Sequence, residues 1–190
     1  MTGFLPTDYK RPEATSSYTK LSDGPNKLRI LSAPIFGYSY WTTESKPIRS
    51  KTPFDGTPVD ARLDDGKFKP KFFWALAVYN YAAKAVQVWE ITQASIQGPL
   101  EDLAMNSDWG DPREYDITVT KTGEKLDTEY SVMPSPAKAV PEEAHKAYRE
   151  AHINLEALYE GQDPFNYAAG SEGGDVEMMR ENSPFGSEMN

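Results

Sequence analysis

Two neighbouring runs of aromatic and β-branched residues restrict the fold of this chain more than any other feature. They occupy residues 71–81 (KFFWALAVYNY) and 85–91 (AVQVWEI), with only a short connection between them. Aromatic and β-branched side chains are enriched in strands, and a connection this short is typical of an antiparallel hairpin. The sequence therefore predicts a mainly β protein built around this strand pair.

The segment before this pair predicts a bent strand and then a long loop. Pro34 cannot donate to a ladder, which predicts a bend, and Gly37 permits a new strand over residues 37–43. Residues 44–70 contain four prolines and two glycines and show little periodicity. They predict a long loop with one short strand near Ile48, and loops of this length are often functional.

The rest of the chain predicts a helix, a second hairpin and a final helix. Residues 92–106 have helical character, which the Gly98–Pro99 pair is expected to interrupt. Residues 115–121 and 128–133 form a second strand pair. Residues 141–160 carry one apolar stripe at helical spacing, which predicts a single amphipathic helix that ends before a glycine.

This order of elements predicts the fold class. A short-stranded antiparallel sheet with one helix before its last two strands is typical of the OB-fold, a five-stranded Greek-key barrel. Here a C-terminal helix and an acidic tail are appended to it. The predicted domains are a flexible segment over 1–25, an OB-fold nucleic-acid-binding domain over 26–140, a C-terminal helix over 141–160 and an acidic disordered tail over 161–190.

Charge is distributed unevenly along the chain. The formal net charge is −9, yet residues 1–140 contain 17 basic and 18 acidic residues, whereas residues 141–190 contain 3 and 11. Within residues 27–54, five basic residues accompany a single acid. The excess negative charge belongs to a C-terminal arm, so the net charge does not exclude a polyanionic ligand for the rest of the chain.

The same basic segment contains aromatic residues, which suggests a ligand class. Tyr38, Tyr40 and Trp41 are flanked by basic residues and followed by the long loop. Cationic side chains can follow phosphates while aromatic rings stack on bases, a combination typical of single-stranded nucleic acid binding. The alternative for each aromatic is ordinary core packing. The sequence alone does not separate the two roles.

Motifs for catalysis and for metal binding are missing from the sequence. It contains no glycine-rich phosphate loop, no dinucleotide fingerprint and no nucleophile elbow, so no enzyme activity, catalytic residue or cofactor is predicted. There are no cysteines, and His145 and His152 alone make a poor metal site. No apolar run approaches the ~20 residues of a membrane span, and we expect a cytoplasmic protein.

Two stretches resemble phage-type single-stranded DNA-binding proteins, the helix-destabilising protein family of large tailed phages. They are NKLRILSAPIFGYSYWTTESKPIRSKTPF (26–54) and WEITQASIQGPLEDLAMNSDWGDPREYDITVTKTGEKLDTEYSVMPSP (89–136). The resemblance implies an OB-fold that coats exposed single strands in DNA replication, recombination and repair. It also implies an acidic C-terminal region that contacts replication or recombination proteins. Some relatives hold a structural zinc through Cys and His, for which this chain lacks cysteine.

The predicted nucleic-acid-binding residues follow from the aromatic and basic pattern and from this resemblance. They are Tyr38, Tyr40, Trp41, Lys46, Arg49, Lys51, Phe54, Lys69, Lys71, Phe73 and Tyr79. If the protein was encoded by a phage, it would act in the bacterial host cytoplasm. The alternative function is a non-catalytic protein-interaction or structural module of a phage replisome or particle, in which the aromatic residues would form a protein interface.

Overall fold

The computed structural model of the protein describes residues 16–165. Seven β-strands in this range form one antiparallel sheet: β1 Gly24–Ile30, β2 Ile35–Trp41, β3 Pro47–Ser50, β4 Lys71–Asn80, β5 Ala85–Ile91, β6 Asp116–Thr122 and β7 Glu129–Pro134. Two α-helices, α1 Ala94–Met105 and α2 Glu142–Ala151, accompany them. Three 3₁₀ helices also occur, at Pro112–Glu114, Lys125–Asp127 and Leu155–Glu160. The mainly β prediction is confirmed.

Strand β4 is the centre of the sheet. Along one edge it pairs with β5, from Trp74 opposite Ile91 to Asn80 opposite Ala85, which confirms the predicted central hairpin. Along the other edge its first half pairs with β2 and its last residues pair with β1. β1 also pairs with β6, β6 pairs with β7, and β2 pairs with β3.

The predicted bend at Pro34 is present between β1 and β2. The Leu31 N–H still donates to the Ala77 carbonyl, whereas the Ala77 N–H donates to the Ser32 hydroxyl oxygen, 2.9 Å away. A side chain therefore replaces one backbone partner where the chain bends. The two strands follow each other along the same edge of β4, as two halves of one bent strand would.

One face of the sheet encloses the main hydrophobic core. Leu76, Trp89 and Ile117 are buried there together with Ile96 and Leu100 of α1. Although Pro99 lies inside α1, the helix is continuous, so the prediction that Gly98–Pro99 interrupts it is wrong. An internal proline costs a helix about 3 kcal/mol, and the burial of Ile96 and Leu100 on either side offsets that cost.

The other face, called the outer face below, is covered by the C-terminal part of the chain. Residues 142–165 form this C-terminal cover, in which Ala144 packs on Tyr79 and Leu158 packs on Phe73. The predicted single helix over 141–160 is wrong, because α2 ends at His152, whose φ is 45°. A 3₁₀ helix follows and stops at Gly161, which confirms the predicted stop.

The ends of the chain differ partly from the predicted domains. Residues 16–19 lie beside β5, where the Thr19 N–H donates to the Val88 carbonyl and the Val88 N–H donates to Ser17. Residues 1–15 and 166–190, which hold most of the predicted flexible segment and acidic tail, lie outside the described residues. No helix of residues 16–165 is long and apolar enough to cross a bilayer.

The sheet also differs from a five-stranded closed barrel. It has seven strands, and it stays open because β5 and β7 share no ladder within residues 16–165. It is nevertheless strongly curved, since Trp89 of β5 and Val132 of β7 pack in the same core. The first half of β4, with β2 and β3, extends beyond that core and carries the candidate site.

Candidate nucleic-acid interface

Strands β2 and β4 present aromatic side chains on one face of this extension. Phe36 pairs with Trp74, and Tyr38 pairs with Phe72, in the antiparallel register. Residues directly opposite each other in such a pair project from the same face. Alternation along β2 puts Tyr40 on that face as well. The extension therefore carries five aromatic side chains in two adjacent rows.

These side chains and two more from the loop over 51–70 form a continuous surface, called the aromatic face below. Its members are Phe36, Tyr38, Tyr40, Phe54, Phe68, Phe72 and Trp74. The ring centroids of Phe36 and Trp74 are 6.3 Å apart, and those of Tyr38 and Phe72 are 5.4 Å apart. Phe36 is 51% exposed and Phe72 44% exposed, so two rings are open to a ligand.

The loop aromatics bury one predicted stacking residue. Phe54 and Phe68 pack edge-on against Tyr40, with centroid distances of 4.9 and 5.4 Å. The Tyr40 hydroxyl donates to Asp60, and burial, then this hydrogen bond, raises the pKa of Tyr40. Tyr40 is therefore a packing residue that anchors the loop, which corrects its prediction as a stacking platform. Phe54 is half-buried in the same cluster.

Gly37 fixes where this loop begins. A Cβ atom at Gly37 would lie 2.1 Å from the Ser50 carbonyl oxygen. The end of β3 therefore passes directly over Gly37, an approach that only glycine allows. This contact brings the start of the loop against β2, next to Tyr38, which pairs with Ser50.

Trp41 lies apart from the aromatic face. It follows Tyr40 in the strand, so its side chain projects from the opposite face of β2, where it is 53% exposed. Its carbonyl accepts from the Arg62 N–H at 2.8 Å, which holds the loop beside the β2–β3 hairpin. Trp41 is thus accessible, but the structure does not bring it together with Tyr38.

Three predicted lysines remain accessible, on the β2–β3 turn, on the loop and at the start of β4. Lys46 pairs with Glu44 at 2.9 Å, and Lys69 pairs with Asp64 at 3.0 Å, both at the surface. Lys71 is exposed at the start of β4. Exposed ion pairs are worth about 0–1 kcal/mol, so a phosphate could exchange with either carboxylate at little cost.

Arg49 has a structural role instead of the predicted ligand contact. Its guanidinium pairs with Glu90 of β5 at 2.6 Å, and the Arg49 side chain is only 7% exposed. It also lies over the ring of Phe73, 6.0 Å from the centroid. Arg49 therefore ties β3 to β5 across the outer face and is closed to a phosphate.

The remaining predicted residues lie against the C-terminal cover. Lys51 pairs with Glu156 at 2.5 Å and lies 5.0 Å from the centre of the Tyr159 ring. Phe73 is fully buried, and Tyr79 is 3% exposed. Neither ring can stack on a base while the cover is in place, so both predictions are corrected. Both side chains project from the outer face of β4 and not from the aromatic face.

Four members of the aromatic face escaped the sequence analysis: Phe36, Phe68, Phe72 and Trp74. A signal existed for Phe36, because it alternates with Tyr38 and Tyr40. The sequence contains no signal that Phe72, and not Phe73, would be the exposed one. Neighbouring aromatics in a strand project from opposite faces, and both faces of β4 are apolar. Only the position of the C-terminal cover decides which of the two is exposed.

Basic residues outnumber acidic ones in the chain segment beside the aromatic face, in contrast to the chain as a whole. Residues 42–71 contain seven basic and five acidic residues, whereas the chain carries −9. Tyr159 donates from its hydroxyl to the Phe36 carbonyl at 2.7 Å, which places the acidic C-terminal segment at the edge of this region. Residues 42–71, called the basic region below, thus lie beside the aromatic face, and two of their cations, Arg49 and Lys51, are neutralised by Glu90 and Glu156.

Comparison with known proteins yields no match among protein-family models, curated proteins or solved structures. Within residues 16–165, no three His, Asp or Glu side chains come together in a way that could hold a metal ion. The function must therefore be argued from the chemistry of the aromatic face itself.

Proposed function

We propose that this protein binds single-stranded DNA without enzymatic chemistry or a cofactor. It would coat and protect exposed strands during replication, recombination and repair, largely independently of base sequence, in the cytoplasm of a bacterial host. The observation that carries the proposal is the aromatic face, where Phe36 and Phe72 are exposed beside half-buried Tyr38 and Trp74.

The physical argument rests on what such a surface can bind. Stacking of a base on an aromatic side chain is worth ~1–3 kcal/mol and does not depend on base identity. Bases are available for stacking only in single strands, because in a duplex they are stacked on each other. Lys46, Lys69 and Lys71 supply charge for the phosphates nearby, and release of counterions makes such binding salt-dependent.

The strand pairings support a relationship to the OB-fold. If β1 and β2 are counted as one bent strand, the strand order matches the one expected for that barrel. In this order β1 pairs with β4 and β6, β4 pairs with β5, and β6 pairs with β7. Helix α1 lies between β5 and β6, before the last two strands. OB-folds bind oligonucleotides on the face of their second and third strands and on adjacent loops, and β4 of the aromatic face is the second strand in this count.

The acidic C-terminal arm has a proposed role in this function. Residues 166–190 contain five acids and one arginine and follow directly on the cover. Such an arm would contact replication or recombination proteins, as the resemblance implies, or compete with nucleic acid for the basic region.

A fluorescence titration tests the proposal. Full-length protein is titrated with oligo-dT, oligo-rU and a duplex of equal length, at several salt concentrations. We expect tryptophan quenching by single strands, micromolar or tighter affinity, and a log–log salt slope of about −0.7 per neutralised phosphate. Absence of binding to any single strand at low salt would contradict the proposal.

A protein-interaction or structural module is the second candidate. The observation in its favour is that several cations of the region already have acidic partners, whereas Phe36, Ile48 and Phe72 are exposed and apolar. Contiguous exposed apolar residues mark protein interfaces as well as ligand sites. The same titration separates the two, because a protein interface predicts no response to oligonucleotides.

A further inference from the structure

A buried carboxylate on the outer face lies within 4 Å of three cations. Asp116, at the start of β6, is fully buried, and its Oδ2 lies 2.7 Å from Lys138 Nζ and 3.1 Å from Lys27 Nζ. Its Oδ1 lies 3.3 Å from Arg29 Nη1 and accepts from the Tyr81 hydroxyl at 2.8 Å. Three cations therefore share one carboxylate, which leaves two positive charges uncompensated within the cluster.

The two lysines of the cluster are half-exposed, and they flank an aromatic ring. Lys27 and Lys138 are 46% and 47% exposed, so their ammonium groups can still reach a ligand. They lie 4.8 and 5.8 Å from the centroid of the Tyr81 ring. A cation over a ring is stabilised by the ring electrons, which keeps both ammonium groups at this position.

Arg29 has unused hydrogen-bonding capacity. Its side chain is 1% exposed, and Nη2 donates to the Lys138 carbonyl at 2.6 Å. Its Nε is buried and makes no hydrogen bond to any described residue. A buried donor without an acceptor carries an uncompensated desolvation cost, which a bound acceptor group would relieve.

A cavity of about 580 Å³ adjoins the cluster and shares Arg29 and Lys138 with it. Arg113 also lines this cavity, where it binds Asp111 through two hydrogen bonds to Oδ2, and Glu114 is exposed at its edge. The Asp116 cluster supplies the cations at this cavity, and its excess of positive charge over one carboxylate suits a phosphate group.

We propose that Lys27, Arg29 and Lys138 form a phosphate-binding site at the mouth of this cavity, beside Tyr81. Arg and Lys donors are well suited to phosphate oxygens, and the half-buried Tyr81 ring adds a surface for an attached base or sugar. The ligand is a phosphate group, either from a nucleic acid backbone or free in solution. The site does not depend on the aromatic face, because Tyr81 follows the end of β4 and Phe72 lies near its start, about 30 Å away along the strand.

The test compares two double variants of the full chain that remove the same charge. Lys27→Gln/Lys138→Gln removes the exposed cations of the site. It keeps the contacts of Arg29 and Tyr81 with the Asp116 carboxylate. Lys84→Gln/Lys125→Gln removes two exposed turn lysines and is the matched control. Lys27→Arg/Lys138→Arg keeps the charge and should keep the site, which separates loss of binding from loss of folding.

Two measurements distinguish the sources of the phosphate. The first is an amide NMR titration with inorganic phosphate at constant ionic strength. We expect amide shifts at Tyr81, Lys138 and Ala139 in the wild type, in the control variant and in Lys27→Arg/Lys138→Arg. In Lys27→Gln/Lys138→Gln we expect phosphate to bind at least tenfold more weakly. The second is the salt dependence of oligo-dT binding, where the Gln variant should lose about 0.7 of the log–log slope per lost phosphate contact.

A response to inorganic phosphate alone would assign the site to free phosphate, and a change in the oligo-dT slope alone would assign it to a nucleic acid backbone. If the Gln variant behaves like the control in both measurements, the proposed site is wrong. If no variant, nor the wild type, binds oligo-dT, the function proposed above fails, and the phosphate titration still decides this site.

Discussion

Tyr38 and Phe72 stand opposite each other on β2 and β4, with ring centroids 5.4 Å apart and ring planes inclined at 61°. This pair continues the row formed by Phe36 and Trp74, and it joins the open half of the aromatic face to the half capped by the loop. The arrangement leaves Phe36 and Phe72 accessible while their partners hold them in place. It makes the two exposed rings the best points at which to perturb binding without perturbing the core.

Replacing Phe36 and Phe72 together by alanine should weaken oligo-dT binding at least about 30-fold. Loss of two base contacts of ~1 kcal/mol or more each gives this factor. Fluorescence anisotropy at fixed salt measures it. Leu126→Ala/Met133→Ala removes two exposed apolar residues of the β6–β7 hairpin and should bind like the wild type. Equal affinity of both double variants would rule out the aromatic face as the binding surface.

Arg49 and Glu90 should affect stability and not nucleic acid binding. Glu90→Gln leaves the buried guanidinium without its counter-charge, which should cost up to about 3–5 kcal/mol in the free energy of unfolding. The double change Arg49→Met/Glu90→Leu should recover most of that loss, since an apolar pair can replace a buried ion pair. Urea denaturation measures stability, and an oligo-dT titration of the double variant should match the wild type within twofold. A large loss of affinity in the stable double variant would indicate that Arg49 contacts the nucleic acid.

Asp116 should make stability depend on pH in the acid range. Burial by itself would raise the pKa of Asp116, but hydrogen bonds from Lys138, Tyr81, Lys27 and Arg29 outweigh it and lower that pKa. A carboxyl with a lowered folded-state pKa stabilises the fold fully above its unfolded value, about 3.9, and the effect is lost as pH falls through the folded value. Asp116→Asn should cost about 3–5 kcal/mol at pH 7, and its penalty should shrink below pH 4.

Urea denaturation of both proteins at pH 7, 4 and 3 checks this. A penalty that stays constant over the three pH values would mean that the Asp116 carboxyl is not held in its charged form by the cluster.

Truncation should separate the C-terminal cover from the acidic arm. A chain ending after Phe165 keeps the contacts described above for the cover and should unfold within about 0.5 kcal/mol of the full chain. A chain ending after His152 loses Leu158 and Phe165, which pack on the Phe73 cluster, and should lose about 3 kcal/mol or more. Thermal or urea unfolding measures both. A stable chain ending at His152 would contradict the structural role of the cover.

The longer truncation product also tests the arm. Removal of residues 166–190 takes away five acids and one arginine, so affinity for oligo-dT should rise, most clearly at low salt. Unchanged affinity at low salt would indicate that the arm serves only protein partners.

Strands with a strong local signal could be predicted from the sequence. Strand β5 matches its prediction at both ends, and the short strand near Ile48 and the bend at Pro34 are present. Each depends on local chemistry, namely β propensity or a missing ladder donor. The continuous helix α1 could not be predicted, because its Pro99 is tolerated through long-range packing of Ile96 and Leu100.

The site was harder to predict for the same reason. The predicted segment that holds Tyr38 contributes to the aromatic face, but Arg49, Phe73 and Tyr79 lie on the outer face, under or beside residues far along the chain. A sequence pattern shows that two faces alternate along β4, and it does not show which of them a distant helix will cover. Lys51 illustrates this, since its partner Glu156 is more than a hundred positions away.

Photo-crosslinking to single-stranded DNA tests the central claim most directly. The full chain is irradiated with oligo-dT that carries 5-bromodeoxyuridine, and crosslinked peptides are identified by mass spectrometry. We predict crosslinks within β2 and the first half of β4, at Phe36, Tyr38, Phe72 or Trp74. Crosslinks confined to other surfaces, or their absence under conditions where the oligonucleotide binds, would contradict the assignment of the aromatic face as the nucleic-acid interface.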